Sequence, residues 1–267
     1  MNNFSEFLVL KGLQPVTVLG HVRGIDRIIR KIGTSDISKE EASRFVVDLY
    51  LSGCSYSHKA NSVTSLEYWM EYRGMPMHFG RQRKPKRLLK DTLSEGEITR
   101  LIFAAQSPKE TAIVVLLAYS GLRPKEVCNV RISDINFGAG QLRVEQGKGA
   151  KDGIVFLPSK CMTALMRYQP DFTEINDQFL FQTYQGNKYN QNALRKLIKK
   201  LARRAGITKR VYPYILRHSL ATNMVKRGAN LLFIKEHFRH AWIETTMLYV
   251  HSIGMQERQE QFFPQYV

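Results

Sequence analysis

Residues 212–251 read YPYILRHSLATNMVKRGANLLFIKEHFRHAWIETTMLYVH. Apolar residues recur in this stretch at three- and four-residue spacing, which predicts helices across PYILRHSLATNMVKRG, NLLFIKEHF and WIETTMLYV. The stretch also contains two Arg-His pairs, at 217–218 and 239–240, and Tyr249 nine residues after the second pair. Because helix packing needs only apolar residues, the arginines, histidines and tyrosine indicate a site that holds a negatively charged group.

The charge balance of the chain indicates an anionic partner. Among 267 residues there are 40 Lys and Arg against 23 Asp and Glu, which gives a formal net charge of +17. An excess of this size is typical of proteins that bind polyanions, and double-stranded DNA is the partner that we predict. A hydrophobic content of 43% is enough for a packed core, so long disordered stretches are not expected.

Nothing in the sequence indicates membrane insertion, secretion or metal binding. No apolar run approaches the roughly 18 residues needed to span a bilayer, and the first residues do not follow the order of a signal peptide. The expected location is therefore cytoplasmic, in association with the nucleoid. Cys54, Cys128 and Cys161 lie far apart, and His237 and His240 have no third ligand nearby, so no metal site is predicted.

The first 80 residues carry apolar residues at helical spacing in four successive segments, each closed by glycine or a polar turn. This pattern predicts a small helical bundle over residues 1–80. Residues 81–91 follow as a predicted linker, because RQRKPKRLLK at 81–90 has six basic residues in ten and a proline. Its charge suits a path along a phosphate backbone. The residues expected to contact DNA here are Arg81, Arg83, Lys84, Lys86 and Arg87.

Residues 92–267 form a second predicted domain, which opens with helices. Ser94 and Glu97 have the spacing of a capping box, in which each side chain bonds a free backbone N–H of the first turn. PKETAIVVLLAYSG is a largely apolar helix that we expect to be buried, and Gly121 ends it. Pro124 then fits the first turn of the next helix.

The middle of the second domain predicts a small antiparallel sheet. QLRVEQ and GIVFLP form two strands of a hairpin joined by GKGAKD, with Lys148 at the tip, and FLFQTY is a third short strand. NQNALRKLIKKLARRAG predicts a helix capped by Asn190 or Asn192, whose basic face offers Lys199 and Arg203 as DNA contacts. The predicted fold class is therefore α+β: mainly α-helical, with a small antiparallel β-sheet.

Cleavage of a phosphodiester requires a nucleophile, positive donors on the non-bridging oxygens and a proton source for the leaving oxygen. Arginine suits the oxygens because its planar guanidinium donates two parallel hydrogen bonds, and lysine or histidine suits the leaving group. No candidate is specific by itself, since an arginine at a helix start or a tyrosine in a helix is usually structural. The candidates are Arg123, Lys148, Arg217, His240 and Tyr249.

The order and spacing of these residues are more specific than any one of them. AYSGLRPKEV, the GKG hairpin, LRHSLAT and an Arg-His pair with a tyrosine nine residues later occur in this order. In this the sequence resembles the tyrosine recombinase, or phage integrase, family. The resemblance covers nearly the whole chain, because the N-terminal bundle is similar to the SAM-like, DNA-binding core-binding domain of Xer-like members. It implies that residues 92–267 are the catalytic domain.

The resemblance implies site-specific recombination, in which DNA strands are cleaved and rejoined. Tyr249 would attack the scissile phosphate, form a 3′-phosphotyrosyl intermediate and free a 5′-hydroxyl. Arg123 and Arg217 would hold the non-bridging oxygens in the transition state. Lys148 would protonate the leaving oxygen, while His240 would hydrogen-bond the phosphate and help to place the tyrosine.

The family also implies how the site is supported and which partners it has. Glu126, one helical turn after Arg123, would steady the site from behind. Because the phosphotyrosyl bond conserves the energy of the broken phosphodiester, neither ATP nor a metal ion is required, and no cofactor is expected. Two protomers would bind each crossover site and four would form the synapse, with the tail at 252–267 able to dock on a neighbouring protomer.

Two positions depart from the family pattern. The family commonly has a histidine three residues before the second arginine, where it accepts the proton of the nucleophile, but this chain has Tyr214. A phenol, with a pKa near 10, is a poor base, so we expect slower cleavage rather than none. Arg239 stands where the family usually has glycine, and we interpret it as a further contact to DNA phosphate.

Two other functions remain open at this point. A type IB topoisomerase uses a closely related site to nick, swivel and reseal DNA as a monomer, although the short chain and the N-terminal bundle favour a recombinase. The other is an architectural DNA-binding factor without catalysis, which only Tyr214 supports. The sequence does not distinguish integration, excision and dimer resolution.

Overall fold

The computed structural model describes residues 2–85, 91–144, 153–168 and 178–250. Contacts between residues divide the chain into two compact units, Met1–Leu88 and Leu89–Val267, and each unit has its own hydrophobic core. No helix in the described ranges is both long and apolar enough to cross a membrane. Nor do three His, Cys, Asp or Glu side chains in those ranges lie together in a group that could hold a metal ion.

In its described residues, 2–85, the first unit is a bundle of four helices, as the sequence predicts. The apolar faces of the helices enclose a core in which Phe4 meets Trp69 edge-to-face, with ring centroids 5.0 Å apart. Ile25 and Leu66 are fully buried beside them. The four helices are α1 (Asn2–Leu10), α2 (Pro15–Ile32), α3 (Lys39–Leu51) and α4 (Tyr56–Tyr72).

The second unit is also mainly helical, which confirms the predicted fold class. Its helices lie mostly in the predicted segments, and Ser159–Tyr168 is a helix that was not predicted from the sequence. They are α5 (Glu95–Phe103), α6 (Pro108–Tyr119), α7 (Pro124–Asn129), α8 (Ser159–Tyr168), α9 (Gln191–Arg204), α10 (Pro213–Lys226), α11 (Leu231–His237) and α12 (Ile243–Val250), with a single 3-10 turn at Ile132–Asp134.

α6 is the central helix of the second unit. Every residue from Ala112 to Ala118 is buried, and the helix packs against α8 and α10. Gly121 follows it with a φ of 70°, a left-handed conformation that suits glycine and ends the helix as predicted. Pro124 then stands in the first turn of α7. The chain therefore turns sharply between two helices, and Arg123 lies at that turn.

The sheet has three antiparallel strands in the order β1-β2-β3. β2 and β3 pair as the predicted hairpin, with Leu142 opposite Val155 and both side chains buried. Their connection, residues 145–152, lies outside the described residues. The strands are β1 (Ile135–Asn136), β2 (Gln141–Val144) and β3 (Gly153–Phe156).

The prediction of a third strand at FLFQTY is wrong, since the third strand of the sheet in the described residues is β1. Residues 179–184 contain only isolated bridges. Leu180 and Phe181 are both buried, whereas successive residues of a strand point to opposite faces. The backbone N–H of Leu180 donates to the carbonyl of Val130 at 2.8 Å, so this segment packs on the end of α7 instead of extending the sheet.

The helix α9 begins at Asn190, the first of the two predicted capping residues. Its side-chain oxygen accepts hydrogen bonds from the backbone N–H groups of Asn192 and Ala193, at 3.0 and 2.9 Å. These bonds satisfy donors that the first helical turn leaves free. One face of the helix is apolar and buried, and it consists of Leu194, Leu197, Ile198 and Leu201. The basic residues therefore lie on the opposite, solvent-facing side.

Candidate active site

Arg217, in the first half of α10, ties three parts of the second unit together. The residue is only 4% exposed. Its Nη1 donates to the carbonyl of Gly121, and its Nη2 donates to the carbonyl of Phe238 at 2.5 Å. Its guanidinium carbon also lies 4.8 Å from the ring centroid of Phe238. α10 is thus fastened both to the turn before α7 and to the turn after α11.

The charge of Arg217 is buried, and no carboxylate among the described residues bonds it. Burial, together with the positive charge of Arg123, lowers the pKa of Arg217 to about 10, while the charges of Glu126 and Tyr249 act in the opposite direction. The guanidinium therefore stays protonated at neutral pH. Its hydrogen bonds with the described residues are both to carbonyls. A phosphate bound at this point would supply the missing negative charge.

Arg123 is the N-cap residue of α7, and two neighbours fix its position. Its backbone N–H donates to Oε2 of Glu126 at 2.6 Å, and its Nη1 donates to Oε1 at 2.7 Å. Its Nη2 donates to the carbonyl of Arg239 at 2.9 Å. A guanidinium has five N–H donors, so three donors of Arg123 are not used by these bonds.

Glu126 lies between two guanidinium groups. Besides Arg123, it accepts a hydrogen bond from Nη2 of Arg239, 2.6 Å from Oε2. Burial acts to raise the pKa of Glu126, but the charge of Arg239 and the hydrogen bonds from Arg123 outweigh it and lower the pKa. Glu126 is therefore ionised at neutral pH. From its place on α7, it accepts hydrogen bonds from both Arg123 and Arg239.

Arg239 lies directly before His240 and does not face solvent. Its side chain is 8% exposed and pairs with Glu126. Its φ is 50°, and in the described ranges no other residue except glycine has a positive φ. The guanidinium, which the sequence analysis interprets as a contact to DNA phosphate, is thus held here by an internal ion pair.

Tyr249 lies on α12 and is buried beside two histidines. It is 8% exposed, and its ring centroid is 5.0 Å from that of His218 and 5.9 Å from that of His240. Burial raises the pKa of Tyr249, although the charges of Arg217 and Arg123 act in the opposite direction. The phenol therefore keeps its proton at neutral pH and lies in the field of both arginines.

His240 lies in the turn between α11 and α12, where Thr246 fixes its ring. The Nδ1 atom is 2.9 Å from Oγ1 of Thr246, and that threonine is fully buried. Burial, followed by the charges of Arg217, Arg123 and Arg239, lowers the pKa of His240 to about 4. The imidazole is therefore neutral at physiological pH, so it can donate one hydrogen bond and accept another.

Two residues contribute to the site in ways that the sequence did not indicate. Thr246 orients His240, and its only sequence signal is a threonine one helical turn before Tyr249. Gly121 leaves space for the side chain of His237, because a Cβ at position 121 would lie only 3.0 Å from Nε2 of that histidine. From the sequence we predicted no metal site at His237, and we predicted no other contact for this residue. No local pattern signals a contact between residues so far apart in the chain.

Tyr214 lies in the first turn of α10, three residues before Arg217. It is 50% exposed, unlike the buried arginine one turn later. Residues three apart lie on the same side of a helix, so Tyr214 stands at the solvent border of the face that carries Arg217. A substitution at position 214 therefore disturbs little packing.

The predicted DNA contacts of the linker differ in what surrounds them. Arg83 and Lys84 are exposed. Arg81 pairs with Glu67, with Nη2 at 2.5 Å from Oε2, so a protein carboxylate already holds its charge. Three predicted site residues lie outside the described part of the chain, namely Lys86, Arg87 and Lys148.

The basic face of α9 contains both paired and unpaired cations. Lys200 and Arg204 lie 3.0 and 3.7 Å from the carboxylate of Glu110. Lys199 and Arg203 are exposed and form no ion pair with another residue in the described ranges. These two predicted DNA contacts therefore keep their charges available for an anionic partner.

The chain that carries these residues has matches among known proteins. Residues 91–254 match the phage integrase family. This chain belongs to that family. It is a Xer-like tyrosine recombinase, an enzyme of site-specific recombination that cleaves and rejoins DNA.

Relatives match the recombinase along nearly its whole length. It is 31% identical over 255 residues to the tyrosine recombinase XerA of Pyrococcus furiosus, which covers 93% of this chain and 88% of that one. A crystal structure of XerA recombinase superposes with a TM-score of 0.61 at 26% identity, covering 100% and 97% of the two chains. A λ integrase dimer bound to a core site shares the fold, with a TM-score of 0.70 at 15% identity over 95% of both chains.

The lowered pKa of His240 predicts a pH dependence of stability. Unfolding returns the imidazole to its ordinary pKa of 6.5, whereas the folded value is about 4. As the pH falls from 7 to 5, the unfolded state therefore takes up the proton first, and the wild-type protein loses stability. His240→Gln lacks this proton, so we expect a smaller loss.

Urea denaturation of both proteins at pH 7 and at pH 5 checks this prediction. The free energy of unfolding of wild type relative to His240→Gln should decrease over this interval. Other titrating groups are common to both proteins and cancel in the difference. An equal loss of stability in the two proteins would contradict a depressed pKa at His240.

Proposed function

We propose that Tyr249 is the nucleophile of this recombinase and forms a 3′-phosphotyrosyl intermediate. The observation that carries the proposal is its buried phenol, stacked 5.9 Å from His240 and in the field of Arg217 and Arg123. The Oη of Tyr249 would attack the scissile phosphorus, the P–O5′ bond would break, and the 5′-oxygen would leave with a proton. A 5′-hydroxyl from another strand would then attack the phosphotyrosyl bond and release the tyrosine.

Arg123 and Arg217 would bind the non-bridging oxygens of that phosphate. Backbone carbonyls hold both guanidinium groups in place. Donors that are already oriented stabilise charge in the transition state without reorganising. The bonds to described residues use two of the five donors in each guanidinium, which leaves three for the phosphate. Glu126 would support Arg123 from behind.

His240 would serve both the phosphate and the nucleophile. Thr246 occupies its Nδ1, which leaves Nε2 for a phosphate oxygen or for the hydroxyl of Tyr249. A bound phosphate would offset the arginine charges that depress the pKa of His240, so the imidazole would become a better base in the complex. Lys148 would protonate the 5′ leaving oxygen, as the family resemblance implies.

We also propose how the recombinase binds DNA. Residues 1–80 would form a DNA-binding domain and 81–91 a basic linker, while 92–267 would carry catalysis. Contacts to the phosphate backbone would come from exposed cations that no described carboxylate holds, namely Arg83, Lys84, Lys199 and Arg203. Lys86 and Arg87 would extend the same basic run.

Strand exchange between two sites requires more than one nucleophile. The related λ integrase is described as a dimer bound to a core site. We propose that two protomers of this recombinase likewise bind each crossover site and that four form the synapse. Each protomer would then contribute its own Tyr249.

Tyr249→Phe tests the nucleophile directly, because phenylalanine keeps the ring but lacks the attacking oxygen. The substrate is a nicked duplex that traps the covalent intermediate, and it carries the site that the wild-type protein selects from a randomised duplex library. Without ATP or metal, wild type should form a covalent protein–DNA adduct and Tyr249→Phe none. An undiminished adduct in the variant would exclude Tyr249, and DNA binding without any adduct would favour a non-catalytic factor.

Tyr214→His tests the departure from the family pattern. A histidine at this half-exposed position would add a base with a pKa near neutrality, and a positioned base contributes about 100-fold or more to rate. We expect faster single-turnover cleavage on the same nicked duplex, by about 10-fold, because this base has not been optimised in its setting. Tyr214→Phe is the matched control and should not accelerate cleavage. A histidine variant no faster than wild type would show that the proton leaves by another route.

The double variant Lys199→Gln/Arg203→Gln tests the basic face of α9. Each lost phosphate contact should reduce the slope of log Kd against log salt concentration by about 1. Fluorescence anisotropy with a random-sequence duplex measures this slope, since backbone contacts do not depend on sequence. The control is Lys200→Gln, whose lysine already pairs with Glu110 and should change the slope less. Equal slopes in all three proteins would place DNA elsewhere.

A further inference from the structure

We propose that Arg239 is a positioning residue for DNA cleavage, which holds Glu126 and, through it, Arg123. This inference rests on the proposed function, because it concerns the same phosphate site. It assigns Arg239 a role other than a DNA contact. Three observations carry it: the backbone of residue 239, the burial of its guanidinium and the sharing of one carboxylate by two arginines.

The backbone at Arg239 forms a helix-ending motif that normally contains glycine. The N–H of His240 donates to the carbonyl of Lys235 at 2.9 Å, and the N–H of Arg239 donates to the carbonyl of Glu236 at 2.9 Å. This pair of bonds is a Schellman motif, whose left-handed position favours glycine because a side chain there is strained. Arg239 occupies that position with a φ of 50°. The backbone at Arg239 is therefore strained, and glycine at this position would remove that strain.

The side chain of Arg239 adds a second unfavourable feature. Its guanidinium is buried, and its Nε has no hydrogen-bond partner among the described residues. Removing a charged group from water is unfavourable unless a partner compensates, and here that partner is Glu126, 2.6 Å away. Glycine would avoid both the strain and the burial. Strain that persists next to a reaction centre points to a role in that centre.

The carboxylate of Glu126 connects Arg239 to Arg123. Oε1 accepts from Nη1 of Arg123, whereas Oε2 accepts from both the backbone N–H of Arg123 and Nη2 of Arg239. The carbonyl of Arg239 also accepts from Nη2 of Arg123 at 2.9 Å. Arg239 therefore fixes Arg123 from two sides, once through its side chain and once through its backbone.

The charge of Arg239 matters as well as its shape. Without it, the negative charge of Glu126 would be balanced by Arg123 alone. Arg123 would then be held more tightly by Glu126 and would stabilise less of the charge that develops on the phosphate. With Arg239 present, two guanidinium groups share one carboxylate, so positive charge remains for the DNA. Because the buried side chain acts on the phosphate only through Arg123, we expect its loss to slow cleavage much more than it weakens the affinity for DNA.

Arg239→Gly is the decisive variant, because glycine suits the backbone conformation and the protein should remain folded. Cleavage is measured in single turnover on the nicked duplex with the selected site, and Kd is measured on the same duplex over a range of salt concentrations. We expect cleavage to slow by about 10- to 100-fold, the range known for residues that orient metal ligands from behind. Kd, its salt slope and the thermal midpoint should stay close to those of wild type.

Two further variants separate positioning from a general loss of charge. Arg239→Lys keeps a cation and should recover part of the lost rate. In a Glu126→Gln background, Arg239→Gly should have little additional effect, because the carboxylate through which it acts is gone. Arg167, an exposed arginine of α8, supplies the matched control, and Arg167→Gln should cleave like wild type.

Each alternative has its own signature. Weaker binding with a salt slope reduced by about 1 would show that Arg239 contacts a phosphate directly and would overturn the inference. Cleavage by Arg239→Gly at the wild-type rate would also overturn it. So would a double variant in which the rate losses of Arg239→Gly and Glu126→Gln combine in full. If wild type itself forms no covalent adduct on its selected site, the proposed function fails, and this inference fails with it.

Discussion

The geometry of the site depends on one buried cation. Arg217 bonds the carbonyls of Gly121 and Phe238, which belong to turns far apart in the chain. A buried guanidinium is tolerated only while its donors have partners, so these turns cannot separate without leaving a charge unsatisfied. Arg123 follows the first turn and His240 the second. The contact therefore fixes the two groups relative to each other.

Burial, together with the charges of the same group of arginines, determines the protonation states of the site. Their positive charges help to lower the pKa of His240 to about 4, and they oppose the rise that burial causes in the pKa of Tyr249. Among the described residues, the site thus combines a neutral imidazole and a protonated phenol with an excess of positive charge. A phosphate would neutralise part of that charge and change both groups at once. In the proposed mechanism, the bound phosphate would raise the pKa of His240 and so make it a better base for the proton of Tyr249.

Local patterns predicted most elements of the fold. The capping box at Ser94, the cap at Asn190 and the left-handed Gly121 formed as expected, because each involves bonds within a few residues. The third strand at 179–184 was wrong because a short apolar run does not reveal whether it joins a sheet or packs on a loop. For the site, the sequence named the residue types and their order. Their contacts could not be read from it.

By itself, the sequence determined most of the helices, the hairpin, the positive charge and the candidates for phosphate chemistry, because these depend on residue type and short-range spacing. Only the tertiary structure decided the direction of Arg239. A guanidinium on a flexible stem can face either solvent or protein, and the buried carboxylate of Glu126 settles the choice. Likewise, Gly121 is needed beside His237 only because folding brings α11 against that turn. Side-chain orientations and contacts of this kind depend on which residues, distant in the chain, are buried together. Local sequence does not encode that.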